Sequence, residues 1–253
     1  MTLLKTIVFA HRGASKLAPE NTMPAFELAY QMGADGIETD VQLTKDNIPV
    51  LIHDENVRRT TNGTGFVQDY TFEKLQNLDA GSWFQNRYSN TSVISLEQFL
   101  KWAQHKTLKL NLELKNNIIE YKNLEDKVYS LLDSYNLVEQ SIISSFNAKS
   151  IERLKKIDKD LSTAFLTSQK IKGLVDYTKA LGAQGLHIKY RLLDKSIIES
   201  SHQNNLDVRV YTVNRPIQMM RCYKIGCDAI FTDVPHIALE YRELYKYKKE
   251  QND

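Results

Sequence analysis

His11 and Arg12 stand side by side near the start of the chain. Glu38 and Asp40 lie two residues apart inside an apolar run, and His53 ends a short extended piece. Farther on, Glu113 and Lys115 repeat the two-residue spacing. Side chains at i and i+2 of a strand point to one face, so each of these pairs shares a face. Three carboxylates converging on one spot repel one another unless a cation sits between them, and an all-oxygen ligand set suits Mg2+ or Ca2+ rather than zinc. Two histidines near such a cation supply one general base and one general acid. Arg12 offers a planar fork for phosphate oxygens, although a salt bridge to Glu20 or Glu38 would also account for it. Lys115, two residues past a carboxylate and on its face, is a second candidate phosphate contact. Together these groups are equipped to cleave a phosphodiester with the help of a divalent cation.

Such groups meet only if separate elements bring them together. Short β-branched runs alternate with amphipathic ones along the chain. Strands are expected at 6–10, 36–43, 108–114, 141–145, 162–166, 185–188, 207–213 and 228–232, with a short extended piece at 48–52. Helices are expected at 23–32, 95–104, 124–135, 148–157, 171–181, 194–204, 216–225 and 235–247, the last with a charged tail expected to fray. Asn21 or Thr22 is available as the first N-cap and Ser95 as the second. Eight strand–helix units in 253 residues fit a closed (β/α)8 TIM barrel of the α/β class better than an open sheet. The Gly-x-Gly-x-x-Gly fingerprint of a dinucleotide fold is missing. Barrels of this kind place their chemistry at the C-terminal strand ends. His187, Asn214 and Asp233 fall at later strand ends and, with Glu20, are expected to support the mouth. Residues 54–92 break the rhythm with a turn signal at Asn62–Gly65 and scattered aromatics. They read as a small inserted cap within one barrel domain covering 1–253.

The composition is that of an ordinary globular domain, with 42% hydrophobic and 25% charged residues. A net charge of +2 gives no nucleic-acid footprint. Cys222 and Cys227 lack zinc-type spacing and read as structural thiols of a reducing compartment. The N-terminus shows no signal peptide and no apolar run long enough to span a membrane, so a cytoplasmic location is expected, with membrane-surface association left open.

The motif series His11-Arg12-Gly13, Pro19-Glu20-Asn21-Thr22, Gly36-Ile37-Glu38-Thr39-Asp40-Val41, Thr44-Lys45-Asp46, His53-Asp54, Glu113-Leu114-Lys115, Ser144-Ser145-Phe146, Tyr211-Thr212-Val213-Asn214 and Thr232-Asp233-Val234-Pro235 resembles that of the glycerophosphodiester phosphodiesterase family, bacterial cytoplasmic type. Order and spacing agree from about residue 7 to 240. Asn47 in place of the usual glycine and Tyr211 in place of a common tryptophan are departures, and Tyr211 alters the pocket wall. The resemblance implies a TIM barrel with an insertion after the His53 segment and one divalent cation, Mg2+ or Ca2+, on Glu38, Asp40 and Glu113. It implies His11 and His53 as the acid/base pair, His11 as base, with Arg12 and Lys115 on the phosphate. The substrate it implies is a small glycerophosphodiester such as glycerophosphocholine or glycerophosphoethanolamine, and a homodimer is compatible with it. A lysophospholipase D and a non-catalytic polyol-phosphate binding barrel are the alternatives.

Overall fold

The computed structural model describes residues 6–251; the first five residues, part of the stretch read above as free of a signal peptide, lie outside them. Eight parallel strands form the barrel: β1 (Ile7–His11), β2 (Gly36–Leu43), β4 (Lys109–Leu114), β5 (Ser141–Ser145), β6 (Thr163–Thr167), β7 (Gly185–Lys189), β8 (Asp207–Tyr211) and β9 (Ala229–Thr232). The order is β1-β9-β8-β7-β6-β5-β4-β2, and pairing of β1 with β2 closes it. The remaining strand, β3 (Pro49–Leu51), lies antiparallel against the end of β2 and corresponds to the short extended piece at 48–52.

Strands buried along their whole length, such as β2 and β5, are covered inside by the barrel and outside by helices. The helices α1 (Met23–Gln31), α3 (Leu96–Ala103), α4 (Leu124–Ser134), α5 (Ala148–Ile157), α6 (Leu174–Ala180), α7 (Lys195–Gln203), α8 (Pro216–Ile225) and α9 (Pro235–Glu250) pack their apolar faces on the strands. Ser95 caps α3 in a full capping box with Gln98, and Asp194 caps α7 through the Ser196 amide. Three local expectations change, the first being that strand β8 ends at Tyr211 rather than at 213. Helix α9 continues to Glu250 instead of fraying at 247. Helix α6 starts at Leu174, after Gly173 in the left-handed region (φ 66°), rather than at 171.

Residues 54–92 hold three 3-10 turns and the short helix α2 (Phe72–Gln76). Val57, Val67, Leu75 and Ala80 build a small apolar cluster with Val50 and Ile52 of the β3 segment. The Tyr88 hydroxyl donates to the Leu17 carbonyl (2.9 Å), which leans this segment on the loop after β1.

Candidate active site

Strand register assembles the site. His11 pairs with Glu38 across β1–β2, and Asp40 pairs with Glu113 across β2–β4. Ligand oxygens of Glu38, Asp40 and Glu113 lie within 4.8 Å of one another, and all three side chains are buried. This all-oxygen set could hold a hard divalent cation. Two observations fit one. Asp40 Oδ1 is buried with no hydrogen-bond partner. Burial, and then the charge of Asp40, push the Glu38 carboxyl up to about 8, so the cluster is short of positive charge.

The cluster has protein cations on one flank. Arg12 Nε lies 3.2 Å from Asp40 Oδ2, and Arg12 Nη1 donates to Glu20 Oε1 at 2.8 Å. Lys115 Nζ donates to Glu113 Oε1 (3.0 Å) and stands 3.8 Å from Asp40 Oδ1. Asn21 Nδ2 donates to Asp40 Oδ2 (2.9 Å), and the Thr39 hydroxyl holds the Asn21 carbonyl oxygen (2.7 Å). Burial opposes the charged Asp40, but Arg12, His53 and Lys115 outweigh it and hold this carboxyl well below the usual range. Asn21, offered by the sequence as a helix cap, is thus spent on Asp40. Thr22 takes the N-cap position of α1 without a side-chain capping bond, its hydroxyl donating to the Pro19 carbonyl instead.

Arg12 adopts φ 58°, a left-handed conformation that costs a non-glycine residue about 1–3 kcal/mol. Its amide donates to both the backbone oxygen and the carboxylate of Glu38, each at 2.9 Å, which holds the turn. The next residue, Gly13, has φ 82° and presses against the Ala25 backbone, where a Cβ would come to 2.6 Å.

Both histidines are anchored through Nδ1. His11 Nδ1 is 2.7 Å from Asp233 Oδ1, and Asn214 Nδ2 donates to Asp233 Oδ2 at 2.6 Å. The Ser15 hydroxyl also donates to Asp233 Oδ1 (3.2 Å). With the Nδ1 proton assigned to the Asp233 bond, His11 turns Nε2 toward Glu38, 3.9 Å away. Burial works against the imidazolium, yet Glu38 and the Asp233 bond prevail and raise the His11 pKa. His53 Nδ1 is 2.6 Å from Asp54 Oδ1. Arg59 Nε donates to Asp54 Oδ2 at 2.6 Å, and its two terminal nitrogens grip Glu20 at 2.9 and 2.7 Å. One chain of charges therefore runs from Arg12 through Glu20 and Arg59 to Asp54 and His53.

Every residue named from sequence has a place in this geometry, though not always the expected one. His187 is not on the rim. It is fully buried on the floor, lining a cavity of about 20 Å3 with His11, Glu38, Glu113 and Tyr211. Arg209 Nη1 lies 3.3 Å from its Nε2, and burial together with that charge drives its pKa well below normal. Glu20 supports Arg12, and Asn214 and Asp233 support His11. Asp54, Arg59, Asn21 and Ser15 were not identified as site residues. Adjacency to His53 could have flagged Asp54, whereas Arg59, inside the irregular segment, carries no pattern.

A profile of the family described as Glycerophosphoryl diester phosphodiesterase matches residues 11–237. A glycerophosphodiester phosphodiesterase of Caldanaerobacter subterraneus is 40% identical over 235 residues, 92% of this chain and 96% of that protein. One from Bacillus altitudinis is 38% identical over 95% of this chain and its own full length. In three dimensions, an Oleispira antarctica phosphodiesterase in complex with the product sn-glycerol-3-phosphate superposes with a TM-score of 0.84 at 29% identity, covering 94% of this chain and 96% of its own.

Proposed function

The chain belongs to the glycerophosphoryl diester phosphodiesterase family, and from that premise we propose that it hydrolyses small glycerophosphodiesters to sn-glycerol 3-phosphate and an alcohol. The observation that carries the reading is the placement, by strand register, of His11 beside Glu38 and of Asp40 beside Glu113. Glu38, Asp40 and Glu113 would hold one divalent cation, Mg2+ or Ca2+. When bound, it supplies positive charge against the phosphate oxygens and lowers the pKa of a glycerol hydroxyl.

The protein groups do the rest. Arg12 and Lys115 are already paired with carboxylates, but each keeps further N–H donors for phosphate oxygens. His11, oriented by Asp233, takes the proton of the glycerol hydroxyl at Nε2 as that oxygen attacks phosphorus. His53, oriented by Asp54, delivers a proton to the departing alcohol. Water then opens the resulting cyclic phosphate with the two roles exchanged, which returns both histidines to their starting states. A simple binding barrel would need Arg12 and Lys115 but has no use for two histidines each anchored on a carboxylate. Cys222 and Cys227, both free and buried, suit a reducing, cytoplasmic setting.

The test is release of glycerol 3-phosphate from glycerophosphocholine and glycerophosphoethanolamine, with EDTA and then Mg2+ or Ca2+ added back. Release lost in EDTA and restored by one of the ions is expected. No release with any cation overturns the reading.

A further inference from the structure

A net charge of +2 conceals a basic arc on one side of the barrel mouth. The segments that lead from β5, β6, β7 and β8 into the following helices, taken with the strand end or first helical turn beside them (146–149, 168–173, 189–194 and 212–217), leave from the face that holds the site. They carry Lys149, Lys170, Lys172, Lys189, Arg191 and Arg215, against the single carboxylate of Asp194. All six cations are exposed. Among the described residues none of the six forms a salt bridge, and Asp194 is occupied as the cap of α7. Arg191 donates to the Ser168 carbonyl, which joins two of these segments.

Branched aliphatic side chains stand within the basic arc. Ile171 sits between Lys170 and Lys172 and is 37% exposed. Ile217, two residues after Arg215, is 79% exposed. A single exposed isoleucine needs no explanation. Two of them set among unpaired cations on one face make the pattern of an interfacial anchor, in which cations meet anionic headgroups and the aliphatic tips enter the acyl boundary. A small diester is served inside by Arg12 and Lys115 and cannot engage an arc this wide. Nor does the arc offer the exposed aromatic platforms on which nucleic-acid bases stack.

We propose that the Lys149–Ile217 arc docks the barrel mouth on an anionic lipid surface. The docking is reversible, and it presents the site to the bilayer boundary. It does not depend on which diester is cleaved, and it is read without turnover.

The experiment is sedimentation of the intact protein with phosphatidylcholine vesicles, with and without phosphatidylglycerol, at low and high salt. Binding only to phosphatidylglycerol vesicles, weakened by salt, is expected. K170Q/K172Q should lower the partition coefficient about fivefold for each cation removed. I217S should weaken vesicle binding while leaving binding to soluble polyphosphate unchanged. Circular dichroism and melting temperature check that both variants are folded, and their turnover of a soluble diester should match the parent. Failure to sediment with phosphatidylglycerol vesicles at low salt overturns the proposal. So does polyphosphate binding as tight as vesicle binding with no effect of I217S, which would mark a general polyanion site.

Discussion

His11 and His53 share one feature, Nδ1 held on a carboxylate. Their environments differ, since His11 is 17% and His53 30% exposed. Replacing either with Ala is expected to lower kcat by about 10²–10⁴-fold with the fold intact, read from glycerol 3-phosphate release and circular dichroism. Near-normal turnover of His11→Ala would remove it from the mechanism. Asp233→Asn keeps the shape but loses the charge that orients His11. It should cost about 10–100-fold in kcat and shift the pH profile. His187 gives a separate pH dependence, on stability. Folded, it is kept neutral by burial and Arg209; unfolded, it takes a proton below about pH 6.5. Its contribution to stability is therefore complete above that pH and declines as the pH falls, by up to about 1.4 kcal/mol per pH unit. His187→Gln keeps an acceptor for Arg209 but cannot titrate. Between pH 6.5 and 5 the parent's melting temperature should fall more steeply than the variant's; parallel curves would show that His187 accepts a proton in the folded state.

At the scale of elements, the loop between β1 and α1 is the most constrained part of the site. It turns through two successive left-handed residues, Arg12 and Gly13, and brings in Arg12, Ser15, Glu20 and Asn21. Gly13→Ala meets both an unfavourable φ and the Ala25 backbone, and is expected to cost about 3 kcal/mol with loss of activity. Gly33→Ala serves as the control, because Gly33 has φ 79° but nothing within 4 Å. It should cost about 1 kcal/mol and leave turnover unchanged. Equal losses from chemical denaturation of the two variants would show that the contact with α1 is not what fixes this turn.

At the scale of the whole molecule, closure is held from the far end. Arg242 of α9 ion-pairs with Asp35 ahead of β2 and donates to the Thr6 carbonyl at 3.1 Å. Asp35 Oδ2 also accepts from the Val8 amide at 2.7 Å. One arginine thus ties the last helix to the segments flanking β1, where the chain's two ends close the sheet. Arg242→Ala is expected to lower stability by about 1–3 kcal/mol, a few degrees in Tm, with kcat unchanged because the site is at the other end. A fall in kcat without a fall in Tm would contradict this division between a closing end and a chemical end.

The strand–helix alternation, and hence the barrel, is legible in the order of residues alone, because a period of two and a helical stripe are local signals. So is the shared face of Glu38 with Asp40 and of Glu113 with Lys115, since their i, i+2 spacing needs no knowledge of neighbours. Which of these groups meet is a matter of long-range packing. Register set Asp40 against Glu113. Closure of β1 on β9 delivered Asp233 to His11 from 222 residues away. The irregular segment sent Arg59 back to Glu20 and Asp54, a contact with no period to betray it. His187 went to the floor and not the rim because a strand's last turns run from buried to exposed within a residue or two, and only the height of the neighbouring strands says which. The basic arc was written in the composition of four connections, but it became one surface only when the barrel set β5, β6, β7 and β8 side by side.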